Sequence, residues 1–318
     1  MEVYGEVARE NVAVAAEAVD AAQLAEAAEV QPGRRASLWR DAGRRLLRNK
    51  LAVAGLIGVC VLVFLAAFAD VISPYPYDYQ DFLHINEEPS WQFPLGTDLV
   101  GRDMLSRVIY GARVSLYAGV VSVVLIALPV GTVLGVLAGY FRGWVDTILS
   151  RIVDVMFAFP SIILAIAIVG IFGASLTNAM IAIGIVYTPQ FARLVRGAVL
   201  AIREQEFVEA ARALGAGPIR VLGRHVLPNI LSPIIVVATL TVGFAIVETA
   251  GLSFLGLGAS PPTPEWGSML ATGRSYMLTA PWIATFPGLA ILVTVVAFNL
   301  MGDGLRDLLD PRLRGRGF

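Results

Sequence analysis

LAVAGLIGVCVLVFLAAFA, residues 51–69, is nineteen residues without a charge. A helix rises 1.5 Å per residue, so about 20 mainly apolar residues cross the hydrocarbon of a bilayer. This run is long enough for one crossing, and five more follow. They are Val114–Ala138, Ile152–Gly173 (with Asp154 and Pro160 inside), Leu176–Ala192, Ile230–Leu252 (with Pro233 and Glu248) and Ile283–Gly302. Leu176–Ala192 is the weakest of them. Proline and glycine inside such helices are tolerated where neighbouring helices satisfy the freed backbone groups.

Composition agrees. Of 318 residues, 57% are hydrophobic and 15% charged, and the mean hydropathy is +0.71. A soluble domain carries about 25% charged residues, so too few charges exist here to cover a water-facing surface. The expected fold class is all-α, a polytopic bundle of six transmembrane helices. A formal net charge of −1 gives no electrostatic case for a nucleic-acid partner. One cysteine, Cys60, lies within the first apolar run and reads as a small buried hydrophobe. With two histidines, His84 and His225, a histidine metal site has little support.

Arginine placement orients the bundle. Segments 34–50, 140–151, 193–229 and 303–318 hold nineteen of the 24 Lys and Arg residues, whereas 70–113 and 253–282 hold four. Positive loops stay inside. Both termini are therefore expected in the cytoplasm, and the asymmetry retains the weak fourth span. The first apolar run is too long, and starts too late, for a cleaved signal, and reads as a retained anchor. Domain organisation follows: an acidic, Ala-rich tail at 1–33, either mobile or a marginal cytosolic helix; a basic segment at 34–50; a membrane domain at 51–302; and a cytoplasmic C-terminal tail at 303–318. Within the external stretch 70–113, GRDMLSRVIYGAR (101–113) reads as a short interfacial helix. Met104, Leu105, Val108 and Ile109 share its apolar face, and Arg102, Asp103 and Arg107 lie elsewhere.

The stretch richest in information is REQEFVEAARALGAGPIRVLGRHVLPNIL, residues 203–231. Glu204, Glu206 and Glu209 suit a helix N-terminus, where acids offset the dipole. Phe207, Ala210 or Ala211, and Leu214 form one apolar stripe. Gly215 and Gly217 end that helix, and Pro218 opens a second, expected to stop before Pro228. The stripe of such a hairpin rests on the membrane surface, on its own bundle, or in a partner protein.

The same segment resembles the EAA motif of ABC importer permease subunits: Glu209-Ala210-Ala211, three residues, Gly215, nine residues, His225 where the general pattern has Ile, one residue, then Leu227-Pro228. His at this place is similar to the dipeptide, oligopeptide and nickel branch. So are PLGTDLVGRDMLSRVIYGARVSL (94–116), LSFLGLGASPPTPEWGSML (252–270) and FNLMGDGLRDLLDPRLR (298–314). The likeness covers roughly residues 40–314 and is nearest the C-type dipeptide permease subunit. It implies a type I importer permease fold in a prokaryotic cell membrane. It implies uptake of short peptides, delivered by an extracytoplasmic substrate-binding protein, with nickel complexes or other small solutes as alternatives. It also implies a second homologous permease and two ATPase subunits, the latter docking on Glu206, Phe207, Glu209, Ala210, Ala211, Leu214, Gly215 and Pro228. ATP and Mg would sit on those ATPases and no cofactor on this chain. Independently, Lys50 is the only lysine and is followed by Leu51, so a G-x-x-x-x-G-K-[ST] loop does not exist here. The chain is expected to be a non-catalytic transport subunit.

Two intramembrane acids have open readings. Asp154 either lines the substrate path or pairs with Arg151 one turn earlier. Glu248 meets a positive group of the solute, closes a gate, or pairs with a neighbouring helix. Gly131, Gly135 and Gly139 share one face, for packing within the chain or against the second permease. The rival class is an autonomous membrane protein: a secondary transporter, which would show internal repeats and ion ligands, or a membrane-embedded enzyme, which would need a clustered nucleophile, base or metal site.

Overall fold

A computed structural model describes residues 49–309; the expectations for 1–33, for most of 34–50 and for 310–318 lie outside them. Among the described residues the regular structure is helical, and the only β-type pairing is an isolated bridge between Thr97 and Asp103. The helices are α1 (Lys50–Ala67), α2 (Ala69–Ile72), α3 (Met104–Phe141), α4 (Gly143–Phe157), α5 (Ser161–Phe172), α6 (Leu176–Arg203), α7 (Glu206–Ala213), α8 (Pro218–Phe254), α9 (Trp266–Gly273) and α10 (Trp282–Leu309).

Four helices, α1, α3, α8 and α10, are long and apolar enough to cross a membrane. The third expected span is not one continuous helix. It is the pair α4 and α5, bent by 94°. Pro160 is the reason: it lacks the N–H that would bond back to Met156, and its ring would strike that carbonyl. The fourth expected span lies in α6, whose 28 residues include Thr177, Asn178, Gln190 and Arg193 and so dilute its hydropathy.

The bundle closes on α6, where Ile183 and Phe191 are fully buried. The glycine stripe of α3 lies against it. A Cβ on Gly131 would stand 2.5 Å from the Phe191 Cβ, and one on Gly135 2.6 Å from the Ala192 carbonyl. The stripe therefore serves packing within the chain. Leu51, Ile57, Val61 and Phe64 of α1 point outward, as side chains facing lipid do, since lipid tails solvate them at no cost. Cys60 is exposed with them rather than buried: it falls on the outer side of α1.

The 101–113 segment differs from expectation. There is no separate interfacial helix; Asp103 caps α3 itself, accepting from the Ser106 amide at 2.8 Å. Arg107 is only 5% exposed. It donates to the Tyr77 and Pro262 carbonyls at 3.1 and 3.3 Å, and its Nε lies 3.6 Å from the Asp98 carboxylate. A buried guanidinium needs acceptors and a nearby carboxylate of this kind. Trp282 of α10 closes the same knot, its indole N–H donating to the Thr97 carbonyl at 3.0 Å. Nearby, Glu265 is 1% exposed and caps α9, accepting from the Gly267 and Ser268 amides at 2.9 and 2.8 Å. Burial holds its carboxyl above the ordinary range, against the pull of those two amides.

Candidate functional site

The hairpin is built as a small rigid unit. Glu206 and Glu209 sit in the first turn of α7 and Arg212 in its last, each at the favourable end of the dipole. Gly215 takes φ +82°, and the Ala216 amide reaches back to the Ala211 carbonyl at 3.0 Å. That six-to-one bond with a left-handed residue is a Schellman close, and it explains why glycine stands at 215.

What seats α7 is Val208, which is fully buried. It joins Val195 and Val199 of α6 and Val221, Val226 and Ile230 of α8 in one cluster. The stripe read from the sequence points the other way. Phe207 is 45% exposed and Leu214 89%; Glu206, Glu209, Ala210 and Gly215 are exposed too, and Ala211 is half-buried. Of the three resting places considered, the hairpin's own bundle takes Val208, and the Phe207–Leu214 face is left free, continued by Ile219 beyond the turn.

Two sequence expectations need correction here. Glu204 is not in α7. It ends α6, and it accepts from Arg142 at 2.6 Å. Beside it Arg203 donates to the Gly139 and Tyr140 carbonyls at 3.2 and 2.7 Å, which ties the hairpin's foot to the end of α3. The second helix does not stop before Pro228 either: α8 runs on through it to Phe254. The stretch Leu222–Val226 widens into a π-helix, with the Leu227 amide bonding five residues back to Leu222. A wider turn gives the Pro228 ring room that an α-turn would deny. Pro228 itself is exposed. The His225 ring stands 6.5 Å from that of Phe207, centroid to centroid.

The two acids that the sequence reads as intramembrane, Asp154 and Glu248, flank the α4–α5 break. Asp154 does not pair with Arg151; it accepts from Arg193 of α6 at 3.1 Å, and that guanidinium lies 4.1 Å above the centre of the Phe157 ring. One turn further along α6, Arg196 forks both oxygens of Asp146 at 2.5 and 2.8 Å. Asp154, Arg193 and Arg196 line a cavity of about 260 Å³ with Leu149 and Ser150. Past the break, Ser161 donates to Glu248 Oε1 of α8 at 2.9 Å, and Tyr187 of α6 stands beside the same carboxylate. Glu248 Oε2 is buried without a partner. The break thus gathers one acid from each side, while the hairpin residues form a separate surface. Sequence reasoning missed Val208, Arg142 and Ser161. Their partners are remote in the chain, and no local pattern marks them.

Comparison with known proteins agrees with this architecture. Residues 131–315 match the family described as binding-protein-dependent transport system inner membrane component, and residues 37–89 match the N-terminal TM domain of oligopeptide transport permease C. The glutathione transport system permease protein GsiD of Pectobacterium atrosepticum is 50% identical over 277 residues, covering 87% of this chain and 92% of that one. The dipeptide transport system permease protein DppC of Alkalihalophilus pseudofirmus is 50% identical over 278 residues, 87% and 91% of the two chains. Among solved structures, the inward-facing MetNI methionine ABC transporter shares the fold, with a TM-score of 0.53 at 23% identity over 65% of this chain and 98% of that one. The chain therefore belongs to the family of binding-protein-dependent transport system inner membrane components, as a multi-pass permease subunit of the dipeptide and oligopeptide branch.

Proposed function

We propose that this chain forms half of the membrane pathway of an ATP-driven importer of short peptides, the other half being a second homologous permease. The six-span reading, with α6 as the fourth crossing and both termini cytoplasmic, belongs to this proposal. So do an extracytoplasmic binding protein that delivers the solute and two ATPase subunits that hold ATP and Mg. This subunit is non-catalytic and carries no cofactor. Asp154 and Glu248 line the path.

The observation that carries the reading is the hairpin: a helix bolted to the bundle through Val208 that leaves Phe207 and Leu214 uncovered. A partner that grips that face moves α6 and α8 with it. Residues 204–217 are the coupling element, with Ala210 small for close approach and Gly215 holding the turn. The names of the relatives support peptides as the solute class.

The test is paired: co-purification of the subunits, and solute transported per ATP hydrolysed in reconstituted vesicles. Gly215→Asp and Ala210→Trp are expected to leave membrane insertion intact while weakening ATPase association or lowering that ratio. Wild-type values for both variants in both measurements would remove the hairpin from the mechanism.

A further inference from the structure

The break between α4 and α5 leaves a cavity of about 150 Å³, lined among others by Phe157, Phe159, Ser161, Tyr187 and Gln190. A liquid water occupies about 30 Å³, so this space admits a few heavy atoms and not a whole peptide. Ser161 and Tyr187 connect it to Glu248.

The hydrogen-bond account of that carboxylate does not close. An ionised carboxylate offers about four acceptor sites. Oε1 receives the Ser161 hydroxyl, the Tyr187 hydroxyl stands beside the same carboxylate, and Oε2 is buried with no hydrogen-bond partner. Among the described residues no ion pair reaches Glu248, whereas Asp98, Asp146 and Asp154 each have an arginine within 4.0 Å. A lone acid in a membrane bundle costs several kcal/mol unless something positive or donating completes it. What the carboxylate lacks is a donor at Oε2 and a paired charge, beside a volume of a few atoms.

A primary ammonium supplies both: three N–H donors and one charge on a compact centre. The aromatic wall suits it as well. Phe157 already carries a cation on one face, the Arg193 guanidinium at 4.1 Å, and ring faces attract such groups. A metal ion fits poorly: among the described residues no three His, Cys, Asp or Glu gather there, and calcium or magnesium asks for six or more oxygen ligands.

We propose that Glu248, with Ser161 and Tyr187, is a subsite for the primary ammonium group of the transported solute. The assignment rests on the reading that Glu248 lines the path, and it names the chemistry recognised there: a free amino terminus, engaged by the permease itself.

The test uses the assembled transporter in nanodiscs, without ATP, and a diazirine-bearing alkylammonium as the probe. After illumination and digestion, adducts are located by mass spectrometry. Adducts are expected on the segments holding Ser161, Tyr187 and Glu248. Glu248→Gln should lower them about tenfold, as the loss of one charge-assisted hydrogen bond does. Glu248→Asp, which keeps the charge, should retain part of the labelling. In the wild-type complex, where no variant has to fold, excess alaninamide should suppress the adducts and N-acetylalaninamide should not. Equal competition by the two amides, equal competition by sodium chloride, or adducts confined to other segments would overturn the proposal. Peptide uptake is measured separately, so failure of the subsite and failure of the peptide-importer reading are told apart.

Discussion

Arg196 of α6 grips Asp146 of α4 with both arms of its guanidinium, at 2.5 and 2.8 Å across fifty positions of sequence. Three residues earlier Arg193 takes Asp154, and at the far end Arg142 takes Glu204. Three ion pairs thus run along one seam between the α3–α4 region and α6. The outer two are more than 40% exposed and each contributes little in water. The fork is more sheltered and geometrically fixed. A double-mutant cycle on Asp146→Asn and Arg196→Gln, read by thermal unfolding of the purified transporter, is expected to give a coupling of about 1 kcal/mol, against a few tenths for Asp154 and Arg193. Equal coupling for the two pairs would contradict this ranking.

The α3–α6 interface leaves no space for a side chain at Gly131. Gly131→Val should destabilise the subunit by about 1–3 kcal/mol, as overpacking does. Gly197, with nothing within 4 Å of its Cβ position, is the control, and Gly197→Ala should be nearly silent. Thermal melts of both variants check it.

Val208 and Phe207 are adjacent, yet they separate folding from docking. Val208→Ala should cost about 1–3 kcal/mol of subunit stability by leaving a cavity among Val199, Val221 and Ile230. Phe207→Ala should leave stability unchanged and lower ATPase co-purification. The reverse pattern would mean that α7 is seated by the wrong face.

Glu265 makes stability depend on pH. Its carboxyl is raised above the ordinary 4.5 by burial, so the folded chain holds the proton more tightly than the unfolded one. The contribution is full below that ordinary value and declines as pH rises through the raised one. Glu265→Gln removes the titration. The difference in melting temperature between wild type and variant should therefore change across the mildly acidic range; a difference constant from pH 4 to pH 8 would show that the cap does not titrate.

The topology is open to labelling. In a background lacking Cys60, single cysteines at Ser90 and Ser268 are expected to react with an impermeant thiol reagent added outside, and one at Asn229 is not. Labelling at Asn229 with none at Ser90 would invert the orientation.

Apolar runs and turn residues were legible in the sequence because their physics is local. Residues 51–69, the hairpin and its stop at Gly215 all read directly from length, periodicity and glycine. Failures share one cause. Val208 looks like any valine until Val195, Val199 and Ile230 are brought round it. Arg107 reads as a surface base until Tyr77, Pro262 and Asp98 enclose it. Asp154 passes over Arg151, its neighbour one turn away, for an arginine thirty-nine positions distant. The break at Pro160 was visible as a proline, but prolines at 189, 233 and 287 stay inside helices. Only the surrounding packing decides which of them bends the chain.

The length of α6 has a mechanical consequence. Tyr187 and Arg203 lie sixteen residues apart on one helix, a separation of about 24 Å along its axis. A rod of that length is a lever: a tilt of about 10° pivoting at the hairpin's foot displaces the Tyr187 end by about 4 Å, more than the reach of a hydrogen bond. A small tilt of α6 relative to α8, pivoting near residue 203, is thus enough to carry Tyr187 away from Glu248, with no rearrangement inside the helix itself.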